Sequence, residues 1–183
     1  MAGFSGPGII DDGLIFYVDA KNTKSYPGSG TTWTDLSGNG HNATLSNASM
    51  GTTTANVMTC NSYDADVATS TDWAFSGDFT IESWIKPTNY GDWNGVVVVT
   101  TTGGVWFGKL SNGTFGLRSY GVENIISTTL PTLNVWSQVL ITRNTNTMTL
   151  YVNGSSASQV TDSRSFSQSG LVIGNDGGAE YFL

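Results

Sequence analysis

The sequence predicts an all-β fold, an antiparallel β-sandwich. Its 183 residues suit a single domain. Charged residues make up 11% of the chain, and its 23 glycines stand among many Ser, Thr and Asn residues. This charged fraction is less than half of the roughly 25% found in an average protein. Because charged residues are among the common helix formers, helix formers are scarce here. Short β-branched or aromatic runs separated by Gly and Asn turns exclude an all-helical fold and leave no room for crossover helices.

The first part of the chain holds one apolar run and two loops. Residues 1–8 are expected to form a flexible arm, and 9–183 the domain. Leu14–Asp19 is β-branched and aromatic, which predicts a central strand. Lys21–Thr32 has the composition of a loop, and Asp35–Asn42 predicts consecutive tight turns.

Phe79–Lys86 carries the clearest strand pattern. Its residues alternate between two faces, Phe79, Ile81, Ser83 and Ile85 on one and Thr80, Glu82, Trp84 and Lys86 on the other. Pro87 ends the strand because proline has no backbone N–H to donate. Two shorter strands are predicted before it, at Val57–Cys60 and Trp73–Phe75.

The later strands follow turn signals, and consecutive hairpins predict a meander. They are Val96–Thr101, Val105–Lys109, Thr114–Arg118, Ile125–Thr128, Trp136–Arg143, Thr147–Val152, Ser155–Val160 and Leu171–Gly174. Asn153-Gly154 is the strongest hairpin signal, since both central residues of a type I′ turn need positive φ.

Four stretches together resemble the laminin-G-like branch of the concanavalin A-like lectin/glucanase jelly rolls. They are Gly13–Asp19, Trp33–Leu45, Phe79–Pro87, and Trp136–Arg143 with Leu150–Gly154. The resemblance implies a jelly-roll sandwich with one more strand after Tyr181-Phe182. We therefore expect the domain to lack its last strand. Either the given sequence is cut short, or another chain covers the open edge, as in a homo-oligomer.

The segments Asp19–Asn22 and Ser25–Trp33 resemble domains in structural proteins of tailed phages. The N-terminus has no signal-peptide pattern, and no run approaches the roughly 18 apolar residues of a membrane helix. We therefore expect a virion protein that is assembled in the host cytoplasm and binds other virion proteins or host-surface glycan. The alternative is a free carbohydrate-binding, lectin-type domain of a bacterial surface or glycan-active protein.

The net charge limits the classes of partner that are expected, and the cysteine content limits the disulfides. The net charge is −7 and no segment is rich in Lys or Arg, so neither nucleic acid nor a membrane is expected as a partner. Cys60 is the single cysteine, so an internal disulfide is excluded. The simplest expectation is that Cys60 is a small buried residue.

An enzymatic role is not expected from the sequence. Glycan hydrolysis needs two carboxylates about 5–9 Å apart, whereas Glu82, Glu123 and Glu180 are isolated along the chain. The single histidine, His41, lies in a Gly-Asn turn, and no reactive-serine motif accompanies it.

The segment Thr88–Gly95 is the predicted ligand site. Tyr90 and Trp93 offer flat apolar faces, and Asp92 and Asn94 offer hydrogen bonds, a mixture suited to a sugar or a protein partner. Alternatively, Trp93 anchors its own loop. The other tryptophans at strand positions are expected in the core: Trp33, Trp73, Trp84 and Trp136.

The loop that starts at Asp35 predicts a calcium site. Asp35, Ser37, Asn39 and the His41 carbonyl occupy positions one, three, five and seven of a calcium-wrapping loop. The position of the bidentate Glu is Ser46, so Asp19 or another loop would have to supply further oxygens. The laminin-G-like resemblance also implies calcium. The alternative is that these side chains cap their own backbone turns.

Overall fold

The computed structural model describes residues 11–46, 57–58, 64–90, 94–98, 105–119, 122–166 and 169–174. They form antiparallel sheets, which confirms the predicted all-β fold class. Within these residues no helix is long and apolar enough to cross a membrane. The predicted arm at 1–8, Cys60 and the chain after Gly174 lie outside the described residues.

The described strands are short and follow one another closely. They are β1 (Thr32–Trp33), β2 (Ala43–Leu45), β3 (Ala65–Val67), β4 (Phe79–Ile85), β5 (Asn94–Val98), β6 (Val105–Lys109), β7 (Phe115–Ser119), β8 (Val122–Thr128), β9 (Ser137–Asn144), β10 (Thr147–Val152), β11 (Ser155–Thr161) and β12 (Leu171–Ile173). A 3₁₀ turn covers Thr71–Trp73.

The described strands form two sheets. The larger has the order β1-β2-β3-β12-β5-β6-β7-β8, and the smaller has the order β11-β10-β9-β4. Strands β5 to β8 are neighbours in space as in sequence, so the predicted meander is confirmed. Strand β12 inserts between β3 and β5, which ties the late part of the chain to its early part.

The core lies where the inner faces of the two sheets meet. Ile141 and Leu150 from the smaller sheet join the same buried cluster as Phe107, Phe115 and Leu117 from the larger one. The rings of Phe107 and Phe115 meet edge to face, with centroids 5.2 Å apart. Burial of each such side chain stabilises the fold by about 1.5–3 kcal/mol.

Arg143 is a buried cation on the inner side of β9, 3% exposed. Its Nε donates to the Gly77 carbonyl oxygen over 2.6 Å, and its Nη1 donates to the Arg164 carbonyl oxygen over 2.6 Å. The guanidinium lies 4.9 Å from the Phe79 ring centroid and 5.5 Å from that of Phe166. Burial lowers the pKa of this guanidinium. Arg143 therefore cross-links β9 to two flanking loops.

Two tight turns build the β9-β10-β11 hairpins. Asn153 and Gly154 have φ of 50° and 76°, as the predicted type I′ turn requires. Thr145 and Asn146, with φ of 46° and 66°, join β9 to β10 without a glycine. The second turn therefore carries no Asn-Gly signal in the sequence.

The prediction of a central strand at Leu14–Asp19 is wrong. The segment belongs to no sheet. Its backbone bonds to side chains of a later loop: the Tyr17 N–H donates to Asp35 Oδ1, and the Ile15 carbonyl accepts from Asn39 Nδ2. These side chains take the place of a neighbouring strand.

Two further strand predictions are also wrong in the described residues. Val57 and Met58 lie outside any strand. Trp73 ends the 3₁₀ turn, and Phe75 makes only an isolated bridge to Phe166. Strands β1, β2 and β3 were not predicted, because two or three residues are too few to show alternation.

Candidate functional site

The predicted ligand loop is described only in part. The Tyr90 hydroxyl donates to the Pro131 carbonyl oxygen over 2.5 Å, and burial raises the pKa of Tyr90 to about 12. Asp92 and Trp93 lie outside the described residues, and Asn94 is described only by its backbone pairing with Lys109 at the start of β5. Tyr90 thus fixes its own loop, and ligand binding by this set of residues stays a prediction.

The predicted calcium loop is organised around the buried carboxylate of Asp35. Its Oδ1 accepts from the Tyr17 N–H over 3.0 Å and from the Ser37 N–H over 2.9 Å. Its Oδ2 accepts from the Ser37 hydroxyl over 2.7 Å and from the His41 N–H over 3.0 Å. Burial by itself raises the pKa of Asp35, but these hydrogen bonds outweigh it and the pKa lies below its ordinary value. The carboxylate is thus held ionised by the chain's own donors.

Two other predicted calcium ligands also form hydrogen bonds within the chain. Asn39 turns its amide nitrogen to the carbonyls of Leu14 and Ile15. Asp19 lies in a separate turn and accepts from the Lys21 N–H over 2.8 Å. In the described part of the chain, no three His, Cys, Asp or Glu side chains are grouped so that they could hold a metal ion. As folded, the side chains of Asp35, Ser37 and Asn39 serve the chain's own hydrogen bonds, and calcium binding stays a prediction from the sequence.

His41 joins this loop to the 3₁₀ turn. Its Nε2 lies 2.8 Å from Asp72 Oδ2, and its ring centroid lies 4.8 Å from that of Trp73. The Trp73 indole donates to the Ala68 carbonyl oxygen over 2.9 Å. The single histidine therefore connects two surface loops across a buried tryptophan.

Two tryptophans contradict the prediction that they lie in the core. Trp33 and Trp73 are buried as expected, but Trp84 is 59% exposed and Trp136 is 43% exposed. Trp84 shares the outer face of β4 with exposed Thr80 and Glu82. The alternation of Phe79–Lys86 already places Trp84 on the same face as these polar residues. This pattern is the sequence signal from which the exposure of Trp84 could have been predicted.

Trp84 lies on the outer face of the smaller sheet, and Trp136 is exposed just before β9 of the same sheet. Trp84 lies directly opposite Gln138 in the β4-β9 pair, and Trp136 precedes Gln138 by two residues. In the next row Glu82 faces Leu140, which in turn faces Tyr151 of β10. We call Glu82, Trp84, Trp136, Gln138 and Tyr151 the tryptophan face.

Polar groups on the tryptophan face are held in place beside the rings. Gln138 Nε2 donates to Glu82 Oε1 over 2.7 Å across the β4-β9 pair. The loop before β9 continues the apolar surface, because Leu133 and Val135 are exposed and the Asn134 N–H donates to the Pro87 carbonyl oxygen over 2.7 Å. Exposed apolar side chains thus stand here with a carboxylate and an amide beside Trp84, which is the composition of an interaction site.

Comparison with known families places the fold. The family model described as the concanavalin A-like lectin/glucanases superfamily, a laminin G type, matches residues 61–183, more than half of the chain. The chain belongs to the concanavalin A-like lectin/glucanases superfamily. The predicted concanavalin A-like, laminin-G-like domain is thereby confirmed, and this lectin/glucanase fold supports carbohydrate binding in general terms. Among curated proteins none matches the chain.

Solved structures that share the lectin/glucanase fold include sialidases. Trypanosoma rangeli sialidase in complex with 2-keto-3-deoxy-D-glycero-D-galacto-2,3-difluoro-nononic acid matches with a TM-score of 0.59 and 15% identity, over 96% of this chain and 29% of that one. The same organism's sialidase with 2,3-difluorosialic acid, a covalent intermediate, matches with a TM-score of 0.57 and 13% identity, over 93% and 29% of the two chains.

These matches correct the expectation that the chain has no enzymatic role. Solved structures that share its fold are sialidases, so isolated acidic residues in the sequence were not sufficient ground for that expectation. At this level of identity the likeness is one of fold. The chain spans 29% of the length of the sialidase chains.

Proposed function

We propose that this lectin/glucanase-type domain binds carbohydrate on the tryptophan face. The single observation that carries the proposal is the pair of exposed tryptophans, Trp84 on the outer face of β4 and Trp136 just before β9, the strand that pairs with β4. An exposed indole costs free energy in water unless a ligand covers it. In a chain of this superfamily, a sugar ring is the ligand whose chemistry fits such a surface.

The chemistry of a sugar matches the tryptophan face in two respects. The C–H groups of a sugar ring form a flat apolar surface that packs on an indole, and its hydroxyls need hydrogen-bond partners at the edge of that contact. Glu82 supplies acceptor oxygens, and Gln138 supplies an amide beside Trp84. Because Gln138 already orders the Glu82 carboxylate, less side-chain entropy is lost on binding.

We further propose that the domain serves a protein that acts on glycans. The support for this is the fold shared with sialidases, of whose chains this domain matches less than a third. In such a protein the tryptophan face would hold the glycan. A role of the domain in turnover is measured as sugar release that is abolished by Glu82→Gln or Glu123→Gln.

The phage setting stays a prediction from the sequence. Its support is the resemblance of Asp19–Asn22 and Ser25–Trp33 to domains of tailed-phage structural proteins. In a virion the same tryptophan face would attach the particle to host-surface glycan or to neighbouring virion proteins. Detection of the chain in purified particles by mass spectrometry tests this location.

A glycan array tests the proposed function directly. Wild type, Trp84→Ala and Ile15→Ala are compared, the last being a matched control because Ile15 is an exposed apolar residue, 41% accessible, outside both sheets. We expect wild type and Ile15→Ala to bind the same glycans and Trp84→Ala to lose them. An array without Trp84-dependent binding, together with concentration-dependent self-association that Trp84→Ala abolishes, would instead identify the face as a homo-oligomer interface.

A further inference from the structure

We infer that the outer face of the larger sheet carries a second ligand site, a depression around Asp66 that takes the free amino group of a hexosamine. The depression and the tryptophan face lie in different sheets, so this inference does not depend on the proposed function. It follows from the alignment of three residues across β2, β3 and β12, from the carboxylate that stands among them and from the polar groups of the rim.

Three neighbouring strands build the floor of the depression. Thr44 of β2 lies directly opposite Asp66 of β3, and Asp66 lies directly opposite Val172 of β12. The neighbours of Asp66 along β3, Ala65 and Val67, are buried in the core, so the Asp66 side chain points outward. Side chains directly opposite each other have Cβ atoms about 4.5–5.5 Å apart, so the three residues form one row on this face. The depression has a volume of about 380 Å³, at the small end of the range for small-molecule sites.

The rim of the depression is formed by loops that hydrogen bonds hold in place. Asn42, before β2, and Thr69, after β3, both line the depression. Asn42 Oδ1 accepts from the Asp35 N–H over 3.0 Å, which fixes the orientation of its amide group. The Ser70 N–H donates to the Ser169 carbonyl oxygen over 2.9 Å and joins the loop after β3 to the loop before β12. A ligand therefore meets a rim that needs little further ordering.

The Asp66 carboxylate has no counter-charge in the described part of the chain. Among the described residues, no hydrogen bond or ion pair involves its side chain, and those that line the depression include no Lys, Arg or His. Partial desolvation raises the pKa of Asp66, and repulsion from the Asp64 carboxylate raises it further. A cation beside Asp66 offsets both effects, and the net charge of −7 favours its approach.

The groups in the depression suit an amine that has hydroxyls beside it. A metal ion needs several ligands, and in the described residues no three His, Cys, Asp or Glu side chains are grouped to hold one. A protonated amine needs one carboxylate, to which it donates charge-assisted hydrogen bonds. The hydroxyls of Thr44 and Thr69 and the amide of Asn42 also line the depression and can bond to the hydroxyls of a sugar ring. A hexosamine with a free amino group combines both features.

Three sugars that differ in one substituent test the inference, namely glucosamine, N-acetylglucosamine and glucose. They are titrated into the full chain at about pH 6.5, where the amine of glucosamine is protonated. Backbone amide shifts in NMR spectra report both the affinity and the place of binding. Wild type is compared with Asp66→Asn and with Asp12→Asn, a control that removes one exposed carboxylate outside the residues that line the depression.

We expect glucosamine to shift the amides of Thr44, Asp66 and Val172 and to bind wild type about fivefold more tightly than the two uncharged sugars, from one charge pair. Asp66→Asn should reduce glucosamine binding to the level of glucose, while Asp12→Asn should stay within about twofold of wild type. Absence of glucosamine binding, or equal binding of the three sugars by wild type, would overturn the inference, as would unchanged glucosamine binding in Asp66→Asn. Shifts at Glu82 and Trp84 in place of the depression would also overturn it and would locate the amine on the tryptophan face.

Discussion

The buried side chain of Arg143 donates its Nε hydrogen to the carbonyl oxygen of Gly77 over 2.6 Å. The same side chain bonds to the Arg164 carbonyl oxygen. Because the Arg143 side chain is buried and bonded to carbonyls of two loops, this cross-link should contribute to the stability of the β4-β9 edge that supports the tryptophan face.

Arg143→Met should destabilise the fold by about 3 kcal/mol. Methionine keeps part of the packing on Phe79 and Phe166 but leaves the bonded carbonyls without donors. Urea unfolding measures the change in the free energy of unfolding. Lys86→Met, at an exposed position, is the control and should stay within about 0.5 kcal/mol of wild type. A loss below about 1 kcal/mol in Arg143→Met would show that the cross-link is not structural.

Asp35→Asn should destabilise the fold by about 1–2 kcal/mol near pH 7, because an amide replaces acceptor oxygens that serve Tyr17, Ser37 and His41. The folded-state pKa of Asp35 is lowered, so its stabilisation is present above the unfolded pKa of about 3.9 and is lost as the pH falls through the folded pKa. The difference between wild type and variant should therefore shrink between about pH 7 and about pH 2.5. A difference that does not change with pH would refute this account of the loop.

Calcium should leave the thermal stability unchanged. The oxygens of Asp35 and Ser37 already serve the chain's own hydrogen bonds, so an ion would have to break them to bind. A ligand that binds only the folded state raises the melting temperature. We expect the same melting temperature in excess calcium and in excess chelator. A calcium-dependent rise that Asp35→Asn removes would instead establish the predicted calcium site.

Gly116→Ala should destabilise the β7-β8 pair severely. A Cβ at Gly116 would lie 2.0 Å from the Ile126 carbonyl oxygen and 2.7 Å from the Ser127 Cα, both backbone atoms that cannot move independently. Such overpacking costs typically about 1–3 kcal/mol, and backbone clashes lie at the upper end. Gly77→Ala is the matched control, because a Cβ at Gly77 would meet nothing within 4 Å. Equal stability of the two variants in urea unfolding would contradict the close approach of β7 and β8.

The sequence predicted those parts of the fold that depend on local pattern. Strict alternation defines β4, and Asn153-Gly154 fixes the β10-β11 hairpin through its positive φ angles. The apolar run at Leu14–Asp19 misled the prediction because its backbone partners are side chains of a loop about twenty residues later. The insertion of β12 between β3 and β5 is equally non-local, and no short-range pattern encodes it.

The candidate site was missed for a different reason. Trp84 is expected in the core because of its strand position, although the alternation of that strand places it on the same face as Glu82 and Lys86. Trp136 lies just before β9, where alternation is not yet established. At Trp84 a large aromatic residue stands at an outward-facing position of a strand. Such a position indicates an exposed aromatic surface.

The affinity of the Trp84→Ala, Trp136→Ala double variant for the glycan that wild type binds tests the central claim most directly. Removal of both indoles should weaken binding by at least about tenfold, since each ring contributes stacking beyond simple area burial. The melting temperature should stay close to that of wild type, because both side chains are exposed. A double variant that folds normally and binds the glycan as tightly as wild type and Ile15→Ala would contradict the account.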